Sequence, residues 1–163
     1  VGSEMCIRDS PWADSILVFI YTGFRISELL SIEVANVDLD NRTITGGMKS
    51  EAGKNRIIPI HPLIYDIIVK RMNEGNKYLF SLNGKHCSKT QYYEFWYEII
   101  DQLGEHRTPH ECRHTFRSLL DDAGANKKCI DMMMGHKSND VGERRYTHKS
   151  IESLREAIEL IKR

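Results

Sequence analysis

From Pro62 onward, Gly75, Gly104, Gly124 and Gly135 cut the sequence into pieces of helical length, and the apolar residues within the pieces recur at helical spacing. A chain divided in this way has little room for a sheet. The expected helices are Pro62 to Met72, Ser88 to Leu103, Pro109 to Ala123, Asn126 to Met134 and Ser150 to Lys162. Upstream, Pro11 followed by Trp12, Ile16, Leu17, Phe19 and Ile20 predicts a buried helix that ends at Thr22-Gly23, with the glycine as a left-handed cap. A second helix begins near Arg25 and carries Ile26, Leu29 and Leu30. Asn36, Asp38, Asp40 and Asn41 then break the helical period. Strand-like residues follow up to Ile60: Thr43 to Thr45, a turn at Gly46-Gly47, a stretch carrying Lys49, a turn at Glu51-Ala52-Gly53, and Arg56 to Ile60. The fold class expected is mainly α with a small three-stranded antiparallel β-sheet (α+β).

The length of 163 residues suits one domain with a core. The longest apolar run, Ile16 to Tyr21, has six residues, whereas a membrane span needs about 20 and a signal-peptide core about 7 to 15. Neither is expected. Cys6, Cys87, Cys112 and Cys129 are too scattered for paired zinc spacings, so reduced thiols and a cytoplasmic location are the expectation. The formal net charge of zero hides a gradient, from -5 over residues 1 to 41, through +3 over 42 to 56, to +2 over 105 to 163. Five of the seven histidines fall in that last block, so an anionic partner is expected at a local site rather than over the whole surface. Val1 to Ser10, VGSEMCIRDS, shows no apolar period and resembles the in-frame translation of a library adaptor. It is set aside as a leader. The remainder is expected to be a piece of a longer protein cut on its N-terminal side.

In the helix after Pro109, about 100° per residue places Cys112, Phe116, Leu119, Leu120 and Ala123 on one side and His110, Arg113, His114, Arg117 and Asp121 on the other. Two histidines and two arginines on one face exceed what solvation requires, although an ordinary charged surface face is the commoner arrangement for such a helix. Elsewhere Arg25 sits just past a glycine turn, in Tyr21-Thr22-Gly23-Phe24-Arg25-Ile26-Ser27-Glu28-Leu29, and Lys49 sits on a tight connection. Gly135-His136 and Tyr146-Thr147-His148 complete the order Arg, Lys, His-x-x-Arg, His, Tyr.

In that order the motifs TGFRISEL, TPHECRHTF, MGHKS and RYTH resemble the tyrosine recombinase (phage integrase) family, from about Pro11 to Lys149. The resemblance implies a catalytic domain over residues 11–163. Arg25 and Arg113 would clamp the non-bridging oxygens of a scissile phosphate, His110 and His136 would complete the pocket, and Tyr146 would be the nucleophile. Lys49 would protonate the leaving 5′ oxygen, and Glu28 would orient the arginine. Lys54, Arg56, Arg107, Arg117 and Lys137 are expected to contact DNA. No metal or other cofactor is implied, and the expected partners are double-stranded DNA and other recombinase protomers in a synaptic complex. The residue types suit the chemistry on their own terms, because planar guanidinium forks match phosphate oxygens bidentately and a phosphotyrosyl bond conserves the energy needed for religation. Three departures stand out: Cys112 where leucine is frequent, a ten-residue step from His136 to Tyr146 with Gly142 within it, and no room for the family's N-terminal clamp domain.

Three other readings compete with this one. A zinc module built from Cys87, His110, Cys112, His114 and Cys129 lacks any C-x-x-C pair. A non-catalytic DNA-binding fragment is a rival that the truncation makes credible, and a strand-relaxing topoisomerase shares the chemistry and differs in whether a second protomer supplies a partner strand. The closing helix, with Ile151, Leu154, Ile158 and Ile161 in one stripe, is expected to dock on a neighbouring protomer when DNA and the N-terminal domain are present, and on its own core in the isolated chain.

Overall fold

The structure is a computed structural model that describes residues 10–47, 54–136 and 148–162, with only the backbone given at 148–149. Lys49, Lys137 and Tyr146 lie outside the described residues, as does the expected leader apart from Ser10. The helices are α1 (Ala13–Thr22), α2 (Ile26–Leu30), α3 (Pro62–Met72), α4 (Lys89–Gln102), α5 (Pro109–Asp122), α6 (Lys127–Met134) and α7 (His148–Glu159). Strands β1 (Val37–Asp38), β2 (Thr43–Gly46) and β3 (Arg56–Pro59) form one antiparallel sheet in that order, and β4 (Ser81–Leu82) pairs with β5 (Lys85–His86).

The helix boundaries follow from their caps. Ser88 Oγ accepts the Gln91 N–H at 3.1 Å while the Gln91 carboxamide oxygen accepts the Ser88 N–H at 2.9 Å, which starts α4. At α5, the Glu111 carboxylate accepts the Thr108 N–H at 2.5 Å, and Pro109 supplies the first helical residue. Asn126 caps α6 by accepting the Lys128 N–H at 2.9 Å. The α1 helix ends where Gly23 turns left-handed at φ 68° and its N–H reaches the Phe19 carbonyl at 3.0 Å.

Two parts of the sheet differ from expectation. Its first strand is Val37–Asp38, within the stretch expected to be turn, and Gly46 is a strand residue paired with Arg56 rather than a turn. The Lys49 stretch, expected as the middle strand, lies outside the described residues. The second hairpin, β4–β5, was not anticipated. It turns at Asn83 and Gly84, both with positive φ (50° and 77°).

The core gathers Phe19, Phe24, Ile44, Ile58, Phe80, Trp96 and Phe116, each fully buried. Two polar pairs are buried with it: Tyr92 Oη lies 2.7 Å from Ser15 Oγ, and the Arg71 guanidinium donates to both carboxylate oxygens of Asp14, at 2.6 and 3.3 Å. The indole N–H of Trp96 donates to the Arg107 carbonyl at 2.8 Å, so the core fixes the loop that leads into α5. Helix α7 packs against β3 and α6 of its own chain, burying Leu154, Ala157 and Ile158, with Ile161 buried just beyond its end. That is the arrangement expected of the chain alone. His61 Nδ1 accepts the Leu63 N–H at 3.1 Å, which leaves Nε2 as the protonated nitrogen that donates to the Ile161 carbonyl at 2.7 Å.

Gly23 is where α1, α2 and α5 meet. A Cβ there would run into the Phe116 ring, and φ 68° is itself strained for an L-residue. Gly23→Ala is therefore expected to destabilise the fold by about 2–4 kcal/mol, overpacking adding to backbone strain. Thermal unfolding checks this, and an unchanged melting temperature would contradict the packing described.

Candidate active site

Arg25 is placed by the start of α2. Its backbone N–H donates to Glu28 Oε2 at 2.9 Å and its Nη1 donates to Glu28 Oε1 at 3.1 Å. Thus Glu28, with a side chain 1% exposed, holds Arg25, whose own side chain stays 34% exposed toward solvent. The structure thus brings together Glu28 and Arg25, the pair that the resemblance implied.

Arg113 departs from its expected setting. His110, His114, Arg117 and Asp121 are exposed as the polar face of α5 requires, whereas Arg113 is only 3% exposed. The turn after α1 and the end of α6 close over it. Its Nη1 donates to the Gly23 carbonyl at 2.5 Å and its Nη2 to the Met134 carbonyl. Two backbone segments distant in sequence are thereby tied to one guanidinium. Burial pushes its pKa down to about 10, with the charges of Arg25 and Arg56 adding and Glu28 opposing, so it stays cationic at neutral pH.

His136 follows Gly135, which caps α6 at φ 70°, and its backbone N–H returns to the Asp131 carbonyl at 3.0 Å. Burial lowers the pKa of His136, and Arg113 and Arg117 lower it further. Asp131, whose carboxylate lies 3.7 Å from Nδ1, pulls the other way. His110, in the first turn of α5, is shifted down by burial and then by His114, Arg113 and Arg25. Its ring meets that of His114 edge-on at 4.8 Å. The charges of Arg25 and Arg113 thus reach His110, that of Arg113 reaches His136, and that of Arg25 reaches Arg113, so that cations discourage further protonation here and an anion would relieve them.

Of the residues expected on a DNA surface, Lys54, Arg107 and Arg117 are exposed. Arg56 is not. It is fully buried, and its Nη1 and Nη2 donate to the two oxygens of Glu28 at 3.1 and 2.6 Å. A guanidinium without exposed surface cannot take a phosphate from solvent, so its expected contact with DNA is withdrawn. The alternation of Arg56, Ile58 and Ile60 carried the signal, since residues two apart share a strand face and both isoleucines are core. Asp131 was missed as well; its approach to His136 depends on the α6 cap, which sequence spacing alone does not reveal. Among the described residues, no three His, Cys, Asp or Glu side chains are grouped to hold a metal ion, and no helix is long and apolar enough to cross a membrane.

The helical domain with its small antiparallel sheet thus carries two guanidiniums and two imidazoles in the chain order Arg, His-x-x-Arg, His. This chain belongs to the phage integrase family, whose model matches residues 7–153. The tyrosine recombinase XerA of Pyrococcus furiosus is 29% identical over 166 residues, covering 96% of this chain and 57% of its own length. The tyrosine recombinase XerC of Rickettsia canadensis is 36% identical over 153 residues, covering 86% of this chain and 48% of its own. The crystal structure of XerA recombinase superposes with a TM-score of 0.71 at 22% identity, over 94% of this chain and 59% of that one. The Tn1549 transposon integrase in complex with circular intermediate DNA gives 0.66 at 24%, over 88% and 56%. These two likenesses establish the fold. The chain spans about half the length of the curated relatives it matches.

Proposed function

We propose that this domain breaks and rejoins DNA strands through a 3′-phosphotyrosyl intermediate, as part of a site-specific recombinase or integrase acting in the cytoplasm. The observation that carries the proposal is the convergence of Arg25, Arg113, His110 and His136, with the arginines fixed by Glu28, the Gly23 carbonyl and the Met134 carbonyl. In this reading the exposed Arg25 and the remaining N–H groups of Arg113 bind the non-bridging oxygens of the scissile phosphate, on which charge gathers in the transition state. The Tyr146 phenol oxygen attacks phosphorus and passes its proton to a neutral imidazole, His110 or His136, whose proton affinity is lowered but whose ring nitrogen can accept it. The bond from phosphorus to the 5′ oxygen breaks, and Lys49 supplies the proton that this oxygen takes up. The free 5′ hydroxyl left behind, or one from a partner strand, reverses the step without ATP.

Double-stranded DNA is the proposed substrate, and other protomers would supply the partner strand. That the Tn1549 integrase was solved in complex with DNA supports this. Lys54, Arg107, Arg117 and Lys137 are proposed as phosphate contacts along the duplex. The decisive test is trapping of covalent protein on a nicked duplex, with the adduct mapped to Tyr146 by mass spectrometry; binding without any adduct would leave only a DNA-binding fragment. A companion experiment isolates proton donation. Lys49→Ala should lose cleavage on ordinary DNA yet regain most of it when the leaving 5′ oxygen is replaced with sulfur, because a thiolate departs without an acid. Equal loss on both substrates would remove Lys49 from that role.

A further inference from the structure

Glu28 is shared by two arginines, and only one of them reaches solvent. We propose that Arg56 is a positioning residue for the proposed phosphate clamp: by engaging both oxygens of Glu28, it keeps that carboxylate from neutralising Arg25. The inference rests on the recombinase reading above and deepens it.

The geometry is a fork on a fork. Glu28 Oε1 receives Arg56 Nη1 and Arg25 Nη1, both at 3.1 Å, while Oε2 receives Arg56 Nη2 at 2.6 Å and the Arg25 backbone N–H at 2.9 Å. Arg56 makes the bidentate, shorter pair, and Arg25 makes one side-chain bond and keeps its remaining donors. Among the described residues, two guanidiniums face this one carboxylate and leave one positive charge, and Arg25 is the member whose side chain reaches solvent to deliver it. Without Arg56, Glu28 and Arg25 would be a closed neutral pair, and a phosphate would have to compete with a buried carboxylate for the same guanidinium.

The surroundings fix Arg56 in place. It opens β3, where it pairs with Gly46 of β2, and its guanidinium lies over the Phe24 ring at 5.0 Å. A Cβ on Gly46 would meet that same ring at 3.0 Å, so the missing side chain on β2 is what lets Phe24 lie beneath Arg56. Phe24 precedes Arg25 directly. The charge of Arg56 also reaches Arg113, whose proton affinity it helps to lower. Glu28 shows the balance from the other side: burial pushes its pKa up, yet the hydrogen bonds and charge of Arg56, followed by those of Arg25, hold the carboxyl below its ordinary value.

The test is single-turnover cleavage at saturating DNA, with thermal unfolding measured in parallel. Arg56→Gln should cut cleavage by about tenfold or more in protein that is still folded, and adding Glu28→Gln should restore much of it, because an uncharged amide no longer neutralises Arg25. On an Arg25→Gln background, Arg56→Gln should cost almost nothing further, since its effect passes through Arg25. A loss of the same size with and without Arg25 would overturn the proposal while leaving the recombinase reading intact. Should Arg56→Gln fail to fold, the Glu28→Gln/Arg56→Gln pair and Arg56→Lys carry the same comparison. Wild-type protein that never cleaves would overturn both readings at once.

Discussion

Arg113→Lys is expected to lose strand cleavage by about 10²-fold or more, although the substitution preserves the charge. The guanidinium donates at once to the Gly23 carbonyl and to the Met134 carbonyl, and in the proposed role it keeps further N–H groups for a phosphate. An ammonium on a flexible stem cannot span both carbonyls and hold an anion as well. At least one buried carbonyl would lose its donor, at a cost of about 1–3 kcal/mol. That second effect separates Arg113 from an ordinary surface residue: stability should fall along with activity, because the end of α6, from which His136 emerges, is tied to the α1–α2 turn through this side chain. Cleavage on a nicked duplex and thermal unfolding measure the two effects. Near wild-type values in both would show that Arg113 neither clamps nor ties.

Much of this architecture was legible because helix signals are local. Ser88 with Gln91, Thr108 with Glu111, and Asn126 each announce a helix start within four residues, and Gly23 and Gly135 announce ends. The sheet was read less well. Strand β1 is two residues long and lies among Asn36, Asp38 and Asp40, so its existence depends on pairing with Ile44 and Thr43 rather than on any preference of its own. The β4–β5 hairpin should have been read, since Asn83-Gly84 is a strong two-residue turn signal. The sequence order of the candidate site residues was readable, and the resemblance pointed to the contact of Glu28 with Arg25. The burial of Arg113 was not, because the polar side of an amphipathic helix says nothing of a neighbouring element that folds over it. Arg56 lies between these cases: the period of the strand marked it as buried, and its charge suggested a surface.

Tyr146→Phe is expected to abolish the covalent protein–DNA adduct altogether while leaving non-covalent DNA affinity within about twofold of wild type. The change removes one hydroxyl and no cation. Affinity for a polyanion comes mainly from the positive groups that displace counterions, and on the proposed interface these are Lys54, Arg107, Arg117 and Lys137 together with the Arg25 and Arg113 clamp. Covalent capture, in contrast, has a single possible source in the proposed mechanism, since the phosphotyrosyl bond needs the phenol oxygen. The variant should therefore bind with an unaltered salt dependence and yield no adduct on a nicked substrate, even after long incubation. It should also protect Lys49 from any role in release, because without an attacking oxygen there is no leaving group to protonate, and a 5′-sulfur substrate should not rescue it. Rescue by sulfur, or an adduct that survives the substitution, would mean that a different nucleophile does the chemistry and that Tyr146 has been assigned in error.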